Sequence, residues 1–295
     1  MVLWIPITIT AALVQTIRFM LQKQLKSAGL STSGAAFSRF VFGAPLAIAV
    51  SVIALAATGT DVPSLSPGFL MFALLGGLCQ IVATHLTVAL LSMRNFAVGI
   101  AFTKTETVQV ALFSILLLGE TIAPSGWIAI TVGLVGVGLL STRAAGGALL
   151  SRTTIFGILA GGLFGLSVIC FRGAALALGD APAIVRAFVT LACVTTAQTL
   201  AMGLWMRLFE TGELTRVFAT WRRTVWVGVT GTLGSLFWFF AFALQNAAYV
   251  RALGQIEMVF TLIVSALVFR ERLTRREGMG IMLICTSIFL LIMTL

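Results

Sequence analysis

Two glutamates lie in the middle of long apolar runs. Glu106 belongs to TETVQVALFSILLLGE, which begins at Thr105, and Glu257 to IEMVFTLIVSALVFRE, which begins at Ile256. In a helix over 95–118, Glu106 falls about 11 residues in, roughly 16 Å along the axis and near the middle of a ~30 Å hydrocarbon core. A carboxylate at that depth costs on the order of 2.5–3.5 kcal/mol unless it faces a partner or water. Two chemistries meet that cost. The pair can face a central cavity and bind a cation or exchange protons, or each can be a hydrogen-bonded linker between packed helices. Lys104 and Gln255 each stand two residues before a glutamate. Lys104 can pair with a carboxylate, Glu257 included, or receive the carboxylate of a substrate. Arg251, one turn into its helix, can be a ligand or an interfacial anchor that snorkels. Gln80, Trp238 and Tyr249 can give a pocket polar and aromatic walls, although membrane Trp commonly faces lipid or packs between helices. The candidate substrate-binding set is therefore Glu106, Glu257, Lys104, Gln255, Arg251, Gln80, Trp238 and Tyr249.

Other chemistry is thin. Arg39 and Arg186 lie near expected helix starts and are read as ties between helix ends. Glu120 and Glu271 close their helices at the membrane interface, a structural position. His85 is the sole histidine; with no second ligand nearby it is read as a packing residue, and no metal site is expected. The four cysteines, Cys79, Cys170, Cys193 and Cys285, are isolated in apolar runs with neither disulfide nor metal spacing. There is no phosphate-binding glycine loop and no clustered Ser/His/Asp set, so neither an ATP-driven pump nor an intramembrane enzyme is supported and no cofactor is implied.

The elements that must hold these residues are membrane helices. Hydrophobic residues make up 59% of the 295, charged residues only 9%, and mean hydropathy is +1.10. A soluble shell needs far more polar side chains, whereas in a bilayer the solvent is itself apolar. Ten spans are expected, near 2–25, 34–57, 68–91, 95–118, 124–142, 153–177, 182–206, 224–244, 248–269 and 277–294. The opening run ends in Arg18, Gln22 and Lys23 without a small-residue cleavage pattern and is read as the first span. Turn chemistry marks the breaks at 58–63, 123–126 and 179–182. Polar stretches of any size occur only at 207–223 and 270–277. The net charge of +10 sits between apolar runs, which suits orientation in lipid and not nucleic acid. Glycine pairs such as Gly157/Gly161 and Gly161/Gly165, and the series Gly228, Gly231, Gly234, let helices approach closely.

An internal repeat organises the spans. At an offset of 151, Glu106 aligns with Glu257, Ser114 with Ser265, Glu120 with Glu271 and Asn95 with Asn246; at an offset of 147, Arg39 aligns with Arg186. The four-residue difference fits a longer loop before the eighth span. Five spans is an odd number, so a second copy starts on the opposite side of the membrane, as in inverted-repeat carriers. The fold class expected is an all-α integral membrane protein, ten transmembrane helices in two inverted five-helix repeats at 1–145 and 150–295. Thirteen Lys and Arg, from Lys23 to Arg276, fall on the side opposite the termini. Basic loops stay cytoplasmic, so both termini are expected on the non-cytoplasmic face of the cell (inner) membrane.

The paired five-helix units, the arginine early in spans 2 and 7 (Arg39, Arg186), and the endings Gly119-Glu120 and Arg270-Glu271 resemble the drug/metabolite transporter superfamily in its ten-helix, EamA-like form. The resemblance covers essentially the whole chain. The loop after the second span departs from the common pattern by lacking basic residues. The resemblance implies export or exchange of small metabolites, amino acids among them, through a cavity lined by both halves. The expectation is a secondary active carrier of a small amino-acid-like metabolite working by alternating access, with protons as a candidate coupling partner. Glu106/Glu257 and Lys104/Arg251 would serve the two charged ends of such a substrate. Organic cations, served by the glutamates alone, are the alternative within carriers. Outside carriers the alternatives are a membrane binding protein or a lipid-modifying enzyme. Membrane lipid is the surrounding partner, and one chain holding both halves can work as a monomer.

Overall fold

A computed structural model describes residues 3–27, 29–93, 103, 106–141, 152–268 and 275–293. Its helices, in chain order, are α1 (Trp4–Ser27), α2 (Thr32–Val41), α3 (Ala44–Thr58), α4 (Pro67–Met93), α5 (Glu106–Leu118), α6 (Pro124–Ser141) and α7 (Arg152–Ala177). They continue with α8 (Ala183–Phe209), α9 (Glu213–Ala219), α10 (Trp221–Leu244), α11 (Ala247–Leu253), a 3-10 turn at Gly254–Ile256, α12 (Glu257–Leu267) and α13 (Arg275–Met293). No strand occurs among the described residues. Seven helical stretches are long and apolar enough to cross a membrane, and three shorter apolar helices, Glu106–Leu118, Pro124–Gly136 and Gly278–Leu290, accompany them.

Burial is arranged for lipid. Exposed side chains are large and apolar, Leu116, Leu200 and Met282 among them, while the buried set includes Arg18, Arg39, Glu106, Arg251 and Glu257. A protein in water shows the reverse. Hydroxyls inside the spans close onto their own helix: Thr8 donates to the Trp4 carbonyl at 2.7 Å, Thr16 to Ala12 at 3.0 Å and Thr87 to Ala83 at 2.9 Å. Such bonds satisfy polar groups where water is absent.

Among the described residues two spans are interrupted, each close to a buried charge of the interior. The span expected over 34–57 is two helices with a break at Phe42–Gly43. Pro45 has no N–H to give the Val41 carbonyl, so a continuous ladder cannot form. Helix α10 fills the gap: Thr232 donates to the Gly43 carbonyl at 3.2 Å, and Phe42 lies where a Cβ on Gly228 would stand. The second interruption is the 3-10 turn at Gly254–Ile256, immediately before Glu257. A Cβ on Gly254 would lie 2.7 Å from the Trp238 indole, so glycine is what lets α10 and this turn touch.

Packing is mainly between distant parts of the chain. Among the described residues the most extensive helix contacts are α4 with α7, α6 with α13, α1 with α10, α5 with α7, and α3 with α8. The small-residue patterns sit in these seams. Gly165 of α7 faces Val110 and the Glu106 carbonyl, and Gly136 of α6 faces the Gly280 carbonyl of α13. On α10 the glycines at 228, 231 and 234 receive Phe42, the Arg39 and Arg18 stems, and Val14–Gln15 in turn. Without Cβ atoms, backbones gain the dispersion contacts that drive helix association in lipid.

Candidate functional site

The interrupted helices converge on a central cavity. Its wall includes Gln15 and Phe19 of α1, Arg39 of α2, Gln80 of α4, Glu106 of α5, Phe164, Ser167 and Phe171 of α7, Ser235, Trp238 and Phe239 of α10, Arg251 of α11 and Glu257 of α12. The cavity is narrow, with a water-accessible volume of about 30 Å³.

The charged groups are held from across the molecule. Arg251 forms a buried ion pair with Glu106, 145 residues away in sequence. Its guanidinium carbon lies 4.6 Å from the centre of the Trp238 ring, a cation–π contact. Trp238 in turn donates its indole N–H to the Gln15 side-chain oxygen at 3.0 Å, and the Gln15 amide donates to Glu257 at 2.9 Å. One chain of contacts thus links Glu106, Arg251, Trp238, Gln15 and Glu257. Both glutamates open their described helices, where the helix dipole favours a negative group.

Arg39 lies on the same wall. Nη1 donates to the Thr84 hydroxyl at 3.1 Å and Nη2 to the Ser235 hydroxyl at 3.2 Å. Beside it, Arg18 donates to Gln22 at 3.4 Å and sits over the Phe19 ring at 4.3 Å. Gln80 accepts from Gln198 at 2.9 Å, which also donates to the Gly77 carbonyl at 3.0 Å. Thr195, Gln198 and Thr232 extend this polar patch behind Arg39.

Five of the eight residues singled out by sequence line the cavity: Glu106, Glu257, Arg251, Gln80 and Trp238. Arg251 does not snorkel; it is 7% exposed and its charge is met internally by Glu106. Gln255 is buried but points between α6 and α13, against Gly133 and Ser287, because the 3-10 turn changes the helical phase just before Glu257. Tyr249 also lies off the cavity: its hydroxyl accepts the Ala123 backbone N–H at 3.1 Å and its ring covers Gly126. Lys104 lies outside the described residues, as does Glu271. Arg39, expected near a helix start, stands in the last turn of the short helix α2, from where it bonds Thr84 of α4 and Ser235 of α10 on the cavity wall. Gln15 had no charge to mark it, and Arg18 stood in the sequence only as the end of an apolar run.

Carboxylates also tie helix ends together away from the cavity. In one such tie Ser31 offers its N–H to Glu213 at 2.5 Å and its hydroxyl to Glu210 at 2.9 Å, joining the start of α2 to the α8–α9 connection. In another, Glu120 pairs with Arg172 and accepts from Ser114, while Arg172 also reaches the Phe242 and Gln245 carbonyls at 2.5 and 2.8 Å. No group of His, Cys, Asp and Glu that could hold a metal occurs among the described residues.

Residues 151–293 match the model of the EamA-like transporter family. A solved crystal structure is similar over 97% of this chain and 99% of its own, with a TM-score of 0.63 at 19% identity, a likeness of fold. No curated protein matches the sequence.

Proposed function

We propose that this chain, whose residues 151–293 belong to the EamA-like transporter family of the drug/metabolite transporter superfamily, is a secondary active carrier of a small amino-acid-like metabolite. A multi-pass membrane transporter is the family's role. The observation that carries the finer reading is the cavity itself: both halves of the chain contribute buried charges to one space, Arg39 and Glu106 from the first and Arg251 and Glu257 from the second. Arginine and glutamate at the centre of a bilayer are costly and suit a zwitterion, whose two charges they complement. The glutamates are the groups through which protons would couple.

Alternating access needs two similar units that exchange roles. Counting ten spans, α4 with α7 is the third packed on the sixth, and α1 with α10 is the first packed on the eighth. A twofold relation turns one of these pairs into the other. The same relation maps the second-with-seventh and fifth-with-tenth contacts onto themselves. That pattern supports two inverted five-helix repeats at 1–145 and 150–295. Orientation follows from charge, with the end bearing Arg207, Arg216, Arg222 and Arg223 facing the cytoplasm of the cell membrane and both termini facing away. The non-transport alternatives have no comparable support in the cavity.

Purified protein in liposomes tests this. Counterflow of a zwitterionic amino acid above empty vesicles, sensitive to an imposed pH gradient, is the expected result. Flux confined to organic cations would replace the substrate reading, and no flux across a broad metabolite panel would sink the carrier reading.

A further inference from the structure

Arg39 is the cation of the cavity whose described hydrogen-bond partners, Thr84 and Ser235, are both neutral. Among the described residues, Arg18, Arg39 and Arg251 stand at or beside the cavity against Glu106 and Glu257, three cations and two carboxylates. Glu106 is taken by Arg251. Arg18 interacts electrostatically with Glu257 and with Arg39. The Arg39 and Arg18 stems run together over Gly231, within 2.9 and 3.5 Å of where its Cβ would stand, so two like charges are packed side by side. A guanidinium carries five N–H donors, and the two bonds to Thr84 and Ser235 leave three of them at Arg39. That remainder is a fork suited to a planar carboxylate. Buried charge without a counter-charge is unfavourable, and a guest bearing one negative charge removes the imbalance.

Building on the carrier reading, we infer that Arg39, backed by Arg18, is the docking site for the carboxylate of the transported molecule, and that the substrate class is small organic monocarboxylates. The planar, two-pronged donor face of a guanidinium matches the two oxygens of a carboxylate. The stacked rings of Phe171 and Phe239, centroids 4.5 Å apart, stand on the same wall and offer an apolar surface to the body of such a guest. Arg251, committed to Glu106, is not the anion site.

The test uses matched triplets: leucine, N-acetylleucine and leucinamide, with the valine and phenylalanine counterparts. Binding to the purified full-length protein is read by thermal shift and by Trp fluorescence. The expected result is binding of carboxylate-bearing members and none of the amides, with affinity falling roughly 30-fold or more in Arg39→Gln, because a buried charge loses its partner. Arg39→Lys, which keeps the charge and guards against misfolding, is expected to retain part of the affinity with the same selectivity. Binding to Arg39→Gln equal to the wild type overturns the assignment. So does preference for the amides, or silence from every carboxylate at millimolar concentration. Flux separates the two ideas. Carboxylate binding without transport in liposomes strikes the carrier reading alone, and leucinamide transport untouched by Arg39→Gln strikes the Arg39 site alone.

Discussion

Glu106 and Glu257 occupy matching places in the two halves of the sequence, 151 residues apart, yet their surroundings differ. Glu106 is neutralised by Arg251, a residue of the other half. Glu257 is met by the neutral amide of Gln15, again from the other half. The offset that aligns the glutamates places Ile100 opposite Arg251. Two carboxylates at matching sequence positions thus reach one cavity, and Arg251, which pairs with Glu106, has an apolar counterpart at its own matching position. We propose from the Glu106–Arg251 pair that Glu106 also holds α5 and α11 together, and the variants below test whether the two glutamates share the coupling or divide it.

Breaking the Glu106 side is expected to have the largest effect. Glu106→Gln or Arg251→Gln alone leaves one buried charge uncompensated and is expected to cost about 3–5 kcal/mol, read as a lower Tm and poorer monodisperse yield. The double neutral variant Glu106→Gln/Arg251→Gln is expected to recover most of that loss. Single effects that simply add in the double variant would show that the pair is not coupled.

Gln15→Leu comes next. It removes the acceptor of the Trp238 indole N–H and the donor to Glu257 at once, and leaving buried polar groups unsatisfied is expected to cost about 1–3 kcal/mol. Thermal melts measure it. A variant as stable as the wild type would mean that the chain of contacts from Arg251 to Glu257 is incidental.

Glu257→Gln is expected to be milder in stability, within about 1 kcal/mol, because a glutamine oxygen still accepts from Gln15. Its effect belongs to coupling: counterflow of substrate persists while accumulation driven by a pH gradient is lost. Loss of both activities would make Glu257 a direct ligand for a cationic group. Normal accumulation would erase the functional contrast between the two glutamates and leave both as structure.

What the sequence disclosed follows from what the membrane penalises. A carboxylate amid apolar residues is conspicuous because its cost is known beforehand, so both glutamates could be picked out without coordinates. Gln15 was silent, since an amide in a helix rich in threonine and alanine looks like ordinary packing. Arg39 was misplaced because Gly43 and Pro45 read as residues inside one helix and not as its break. Gln255 was carried to the site by its repeat position beside Lys104, and the tightened turn at Gly254–Ile256 then swung it toward Ser287. Apolar runs reveal where helices lie; side-chain direction depends on local phase, which one turn of 3-10 helix is enough to alter.

The smallest expected effect tests that phase on α11. Tyr249 precedes Arg251 by two residues, about 200° around a helix, so the two cannot share a face. Arg251 faces the cavity, and Tyr249 faces the start of α6, where its hydroxyl accepts the Ala123 N–H at 3.1 Å in an exposed position. Tyr249→Phe removes one hydrogen bond that solvent or headgroups can replace and leaves the ring over Gly126, so the expected loss is about 0.5–1 kcal/mol. Transport kinetics and ligand affinity should not move. A raised KM with unchanged folding would mean that the tyrosine hydroxyl meets the substrate during the cycle. Helix α11 would then turn as the cavity opens, and the Glu106–Arg251 pair, fixed to the same short helix, would have to part with each turnover. That outcome would add Glu106 to the machinery and favour a coupling shared between the two glutamates.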